Sequence, residues 1–511
     1  MDVSIMSTLV DRYEDQIKGE LHCLDRVVLT GTLPVICYAQ GMTSYLNAHH
    51  IRIFDYTKFV EPLRHLIREN AQQVAADNGL EIEFIGKNNF RKEKRVEAIL
   101  AERGDHPGLV HIFSAMEPCT SYKPWHDKIT GKTFIKPDSS KCIHYYFYFI
   151  DKQLGLCYLR VPTWCPFRLQ FYFNAHNWLA RKLDRKGIGY ELVDNAFAHI
   201  DDWAKAQKLA DRFDPRKLHR VLDGYARQYC PVVKTFKRLF HWSMMQVEYA
   251  SDIVFRKAEY LQPLYEAITR TAIHAVKADN VATFLGRKLN GQFEGEIGNR
   301  YHTRIEGTCI RHQMAGKAAI KLYDKLGHIL RIETTINDVR FFKHYRKVEH
   351  RDGTSSFKQA PMRKTIYNLP ALTELCRAAN KRYRAFVSDI EDPSVGVKNI
   401  RKIAEPVRAN DRSYPGFNLF RDEDRHFFLA IARGEFNIYG LTNKDLQRVL
   451  PEKTVAQISR VLKRMRLHGL IKKIGRTYKY YLTKLGRATT IAALELRELL
   501  VMPALAQSAY L

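Results

Sequence analysis

One stretch near the end of the chain leaves few folds open. In residues 441–487, Val455, Ile458, Val461, Leu462 and Met465 recur at helical spacing and give one apolar helix face. Thr454, with Gln457 three positions on, reads as the capping box that starts this helix. Gly469 is placed to end it. A shorter helix precedes it, and a hairpin turning at Gly475-Arg476 follows. Gln457, Arg460, Lys463 and Arg464 fall away from the apolar face, and the hairpin arms carry Lys472, Lys473 and Lys479. The stretch holds thirteen Lys and Arg against two acids, Asp445 and Glu452.

Helix, turn, basic helix, basic hairpin is the order of a winged helix-turn-helix, whose second helix enters the major groove. The cation stripe is an electrostatic footprint for phosphate. On this reading Gln457, Arg460, Lys463 and Arg464 meet double-stranded DNA from the helix. Lys472, Lys473, Arg476 and Lys479 meet it from the wing. The plainer alternative is a small helical hairpin domain with a solvated basic face. The last ~90 residues resemble the winged-helix domains of the MarR family of regulators, which implies duplex DNA binding for this part of the chain.

A chain of 511 residues is too long for one core, and 45% apolar with 12% aromatic residues describes globular domains. The net charge is +27, of which +16 remains when 441–487 is removed. The body is therefore basic in its own right, and single-stranded DNA or RNA is a candidate partner for it. No Gly-x-x-x-x-Gly-Lys-Ser/Thr or Gly-x-Gly-x-x-Gly fingerprint occurs. The nine cysteines show no Cys-x-x-Cys spacing and read as reduced thiols of a cytoplasmic protein. No apolar run approaches ~18 residues, so no membrane partner is expected. Asp2, Asp11 and Glu14 do not suit a signal peptide.

The pattern of elements implies an α+β, multi-domain protein. It would have an N-terminal α/β region (1–120), an α+β nucleic-acid-processing body (121–390), a linker (391–418) and the winged helix (419–511). Strands are expected over 26–33, 80–85, 108–115, 141–149, 155–161 and 189–192, and helices over 59–78, 89–103, 167–186 and 201–212. Residues 122–141 and 355–363 read as loops, and 214–240 as a basic helical stretch. A long helix covers 369–390. The apolar closing helix, 485–501, is suited to packing on its own domain or on a second copy in a homodimer.

The chemistry is expected in 242–338. Strand 244–255 carries Glu248 and Asp252 four apart, and therefore on one face. Strand 317–325 ends in Tyr323-Asp324-Lys325, and the returning strand 328–337 carries Arg331-Ile332-Glu333. Carboxylates of Glu248, Asp252, Asp324 and Glu333 converging from three neighbouring strands would suit Mg²⁺ or Mn²⁺. Lys321 and Arg331 would then serve phosphate oxygens. Tyr301 and Tyr345, each among Arg, His and Lys, are candidate nucleophiles. His302 and His312 are a further metal-ligand pair to weigh. The competing interpretation is that Tyr-Asp-Lys and Arg-x-Glu merely form cross-strand ion pairs.

This block resembles the catalytic half of plasmid rolling-circle replication initiators and relaxases. The likeness rests on the paired acids, Phe284-Leu285-Gly286, Tyr323-Asp324-Lys325 and Arg331-Ile332-Glu333. It departs from their pattern in a basic insertion over 287–316 and in lacking a His-x-His motif. The resemblance implies a DNA-binding protein of a mobile element or replicon, with metal-dependent DNA strand nicking in its body. The alternative is a non-catalytic winged-helix transcriptional regulator or architectural nucleic-acid-binding protein.

Overall fold

The computed structural model describes residues 9–86, 89–287, 295–304, 307–389, 393–418, 421–433, 436, 440–475 and 477–495. The chain divides into two compact units, Met1–Ser388 and Asp389–Leu511. It is mixed α+β, and its first unit is built on one large sheet. Among the described residues no helix is long and apolar enough to cross a membrane.

The large sheet has eleven strands. In chain order they are β1 (Ile17–Thr32), β2 (Ile82–Ile85), β3 (Gly108–His126), β4 (Thr133–Asp151), β5 (Gly155–Pro162) and β6 (Leu169–Asn174). A small separate hairpin, β7 (Tyr190–Val193) and β8 (Ala196–Ile200), comes next. The sheet continues with β9 (His241–Phe255), β10 (Ile297–Arg304), β11 (Gly307–Met314), β12 (Ala318–Lys325) and β13 (Ile329–Ile336). The strand order is β10-β11-β12-β13-β9-β1-β6-β5-β4-β3-β2.

That order is a repeat about its centre. β3 to β6 form an antiparallel meander whose last strand pairs with β1, and β10 to β13 form another whose last strand pairs with β9. The two leading strands, β1 and β9, then pair antiparallel with each other along a seam. The strands of the first 120 residues, β1, β2 and the start of β3, thus belong to the same sheet as the rest of the body, within one compact unit.

Helices cover the sheet with faces readable from their spacing. Pro215–Tyr229 starts at Asp214, whose carboxylate accepts the Arg216 N–H, and buries Leu218, Leu222, Ala226 and Tyr229. Leu369–Asp389 buries Leu372, Cys376, Ala379 and Tyr383. Each such side chain contributes about 1.5–3 kcal/mol for the larger apolar groups. Asn380 fixes this helix to the sheet, donating to the carbonyls of Tyr249 and Ile332 and bonding Ser251 and Thr334. Close approach matters at Gly19, where a Cβ would lie 2.3 Å from the Trp203 indole.

Several expected loops are structured. Residues 122–141 form the ends of β3 and β4, a paired ribbon turning at Asp127, whose carboxylate accepts from Ile129 N–H and the Thr130 hydroxyl. The Pro, Lys and Gly content suggests a loop, but beyond Ala115↔His144 this ribbon has no third strand among the described residues, and prolines are tolerated at such an edge. The expected helix over 167–186 is strand β6 followed by a helix, Ala175–Asp184. The supposed insertion over 287–316 supplies β10 and β11. Residues 355–363 include a strand, Ser355–Pro361, paired with Lys343–Glu349.

The second unit begins with a helix, Pro393–Ala404, and a small hairpin, Val407–Ala409 with Arg412–Tyr414, where a linker was expected. Helices Asp422–Ile431, Asn443–Val449 and Val455–Leu467 follow, then a hairpin of Ile471–Lys473 and Tyr480–Leu482, then Lys484–Glu495. Leu441 exchanges both backbone hydrogen bonds with Tyr480, an isolated bridge beside the hairpin. The helix over 455–467 has the capping box: Thr454 N–H donates to Gln457 Oε1 at 2.7 Å. It buries Ile458, Leu462 and Met465 against a core that includes Phe428, Ile431 and Leu446.

Candidate metal centre at the sheet seam

Where β1 meets β9, the register runs Leu24↔Tyr249 and then Val27↔Val247, so Asp25 and Arg26 together oppose Glu248. This is a β-bulge, which re-aims a side chain. On the other flank of β9, Ala250 lies opposite Glu333 and Asp252 opposite Arg331. Glu333 in turn lies opposite Lys321 of β12. One carboxylate oxygen from each of Asp25, Glu248 and Glu333 comes within 4.8 Å of the other two. This buried acidic triad could hold a metal ion.

Asp25 is held by many donors. Asn174 Nδ2 donates at 2.6 Å, Asn195 Nδ2 at 2.9 and 2.7 Å to the two oxygens, and Arg331 Nη1 at 3.2 Å. His176 Nδ1 lies 3.3 Å away. Burial pushes the Asp25 carboxyl up, but the His176 and Arg331 charges and these hydrogen bonds hold it well below the usual range. Burial works against a charged His176 as well, yet the Cys23 sulfur and Asp25 raise it to about 10. Asn195 comes from the turn between β7 and β8, where Asp194 has φ +54°. Lys325 ties that turn down through Asp194 Oδ2 at 2.6 Å and through Asn195.

Glu333 is nearly sealed, and Glu248 is less so, with 13% of its side chain exposed. Lys321 Nζ lies 2.5 Å from Glu333 and 3.1 Å from Glu248. The Tyr323 hydroxyl donates to the other Glu333 oxygen at 2.6 Å. Burial, and then the charge of Glu333, raise the Glu248 pKa, with Lys321 opposing. Burial lowers the Lys321 pKa, but the two glutamates more than offset it and leave it raised. Four carboxylates, counting Asp252, thus face Arg331, Lys321 and His176 in a poorly solvated space. Hard oxygen donors with a surplus of negative charge fit a divalent cation.

The residues expected from sequence separate into distinct groups. Glu248, Glu333 and Lys321 come together. Asp252 shares their face but is locked by Arg331, whose Nε and Nη2 donate to its two oxygens at 2.6 Å each. Arg331 is fully buried and also donates to the Asn195 carbonyl, so it is not open to a phosphate, and its role is corrected to a buried tie. Asp324 follows Tyr323 on β12 and by the pleat points to the opposite side of the strand, away from Glu333.

Tyr345 stands on the separate hairpin of Lys343–Glu349, 66% exposed. Tyr301 is on β10 opposite Ile310, and its side chain, like that of His302, lies outside the described residues. His312 is a core residue bonded to Asn299 and the Tyr383 hydroxyl, its pKa lowered to about 4 by burial.

The sequence reading missed Asp25, His176, Asn174 and Asn195. A signal was present for Asp25: an acid between Leu24 and the apolar run Val27-Val28-Leu29 must find buried partners. The asparagines and histidine carry no comparable pattern.

In the second unit, Arg460, Lys463, Lys472, Lys473 and Lys479 are exposed. The Gln457 side-chain oxygen is spent on the helix cap. Lys463 Nζ sits 5.3 Å above the Tyr414 ring, and Lys473 Nζ 5.4 Å from that of Tyr478. Arg464 is a correction. Its guanidinium bonds Asp424 at 2.8 Å, the Pro415 carbonyl at 2.9 Å and the Gly416 carbonyl, and lies 3.8 Å over Phe417. It is committed to its own unit. Arg476 lies outside the described residues.

No protein-family model matches the chain, and neither curated proteins nor solved structures give a significant match.

Proposed function

We propose that this chain is a DNA-binding protein that cleaves a DNA strand with the help of Mg²⁺ or Mn²⁺, in the setting of a mobile element or replicon. The observation that carries the reading is the triad of Asp25, Glu248 and Glu333, built from three adjacent strands in a cluster that, with Asp252, sets four carboxylates against Arg331, Lys321 and His176. A divalent ion bound there supplies Lewis-acid stabilisation of charge on a scissile phosphodiester. The protein's part is to aim the ligands. Asn174, Asn195 and Arg331 orient Asp25, and the Tyr323 hydroxyl and Lys321 orient Glu333. The second unit, with a basic helix and hairpin after a helical pair, supports a winged helix-turn-helix that holds duplex DNA.

The test is conversion of supercoiled plasmid, carrying the sequence that flanks the protein's own reading frame, to open circle. Conversion is expected with Mg²⁺ or Mn²⁺ and is expected to stop with chelator. Glu333→Gln should abolish it while duplex binding persists. Absence of metal-dependent cleavage on single- and double-stranded substrates, with binding intact, sinks the enzyme.

One observation favours a second reading. Lys321 already bridges Glu248 and Glu333, as it would in a purely structural ion-pair cluster. In that case the chain is a non-catalytic regulator or architectural DNA binder, and Glu333→Gln alters stability alone.

A further inference from the structure

Two features outside the triad share one chemistry. The first is a groove of about 460 Å³ crossing β5, β6, β1 and the start of β9. Arg160, Arg168 and Lys364 line it together with Trp164 and Gln170, and its lining contains no Asp or Glu. Arg160 is engaged by Glu117 at 2.7 Å, but Arg168 is exposed and Lys364 reaches Asp338 only at 3.6 Å.

The second is the hairpin of β14 (Lys343–Glu349) and β15 (Ser355–Pro361). Residues 343–364 hold seven Lys and Arg against Glu349 and Asp352. Tyr345 and Phe357 are 66% and 63% exposed, yet their rings stack, with centroids 6.0 Å apart and planes at 25°. The register sets Lys347 opposite Phe357, and Lys343 is two positions from Tyr345, so both cations share the aromatic face. Two large exposed rings between lysines gain nothing from the protein core, and their free faces suit an unpaired base.

The two features adjoin along the chain. Asn337 and Lys364, which line the groove, flank the hairpin in sequence, and Met362 N–H closes its base on the Phe342 carbonyl at 2.9 Å. Lys364 is fixed to β9 through its carbonyl, which accepts from Met244 N–H at 2.7 Å. Asn337 lies four positions beyond Glu333, about 13 Å at the strand rise.

We infer that the groove and the β14–β15 hairpin bind a single-stranded polynucleotide, phosphates on Arg168 and Lys364 and bases on the Tyr345–Phe357 stack. Bases in a duplex present no free face to such a stack, whereas every unpaired base does. The inference rests on the nucleic-acid reading above and names the substrate form, but it needs no metal and is tested apart from cleavage.

The experiment uses the full chain in chelator and follows fluorescein-labelled dT15, rU15 and a hairpin duplex by anisotropy. The Tyr345→Ala/Phe357→Ala variant is expected to bind dT15 about tenfold more weakly. Arg168→Glu/Lys364→Glu should weaken it as much and flatten its salt dependence. Both variants alter exposed side chains, so their melting curves should match the parent's. Duplex affinity should stay within about twofold of the parent's. Tighter binding of rU15 with the same variant losses supports the same surface with RNA as its occupant. Binding of dT15 and rU15 within about twofold of the parent in both variants overturns the proposal, and so does a parallel loss of duplex binding. Loss of cleavage with dT15 binding retained removes the nuclease and leaves this surface standing.

Discussion

The Lys321 ammonium sits between Glu248 and Glu333, 3.1 and 2.5 Å from their oxygens, in the space a shared cation would take. The side chain neutralises one of the two glutamates and leaves Asp25 to Arg331 and His176. Lys321→Met removes this charge while keeping much of the volume. Without metal it should destabilise the body by about 3–5 kcal/mol, the cost of stripping a partner from buried charge. Mn²⁺ should then raise the melting temperature of the variant more than that of the parent. Equal melting temperatures with and without Mn²⁺ in both proteins would count against a metal site.

Arg331→Lys is expected to be as harmful as a non-conservative change. Lysine cannot supply the fork that grips both Asp252 oxygens while reaching Asp25 and the Asn195 carbonyl. Denaturant unfolding should show a loss of about 3 kcal/mol or more. A loss under about 1 kcal/mol would mean the tie is dispensable.

His176 gives the body an alkaline limit. Its pKa is raised from 6.5 to about 10 in the fold, so its contribution is fully present below pH 6.5 and declines as pH rises towards 10. The slope should be no more than about 1.4 kcal/mol per pH unit. Melting temperatures between pH 6 and 10 should fall for the parent and much less for His176→Asn. Parallel curves for the two proteins would assign the alkaline loss elsewhere.

Two arginines on one helix of the second unit should behave oppositely. Arg464→Ala strips a partner from Asp424, which is buried, and should lower the unit's melting temperature. Arg460→Ala should leave melting unchanged and weaken duplex binding, by about 1–3 kcal/mol if it contacts a base. If Arg460→Ala binds duplex as the parent does, the helix is not the reading element.

The terminal helices were legible because caps and apolar spacing are local signals, as at Thr454 and Gln457. Glu248 and Glu333 were legible because alternation on paired strands fixes their face. Asp25 was not, since its place beside Glu248 depends on a bulge in a pairing between strands far apart in sequence. Arg331 looked like a phosphate ligand because sequence shows its charge but not its burial. The strands β10 and β11 were read as an insertion because their Arg and His content masks the alternation.

The central seam also sets the order in which the molecule can be completed. β1 emerges first and pairs with β6 on one side, but its other edge waits for β9, and Arg331 reaches Asp25 across 306 positions. During synthesis that edge is an open template for any other strand, and such late, distant pairing is slow. The bulge at Asp25-Arg26 interrupts the template and puts charge on it, a known defence of exposed edges. Asp25, which the candidate site draws from β1, therefore also lies on the edge that stays open until β9 arrives.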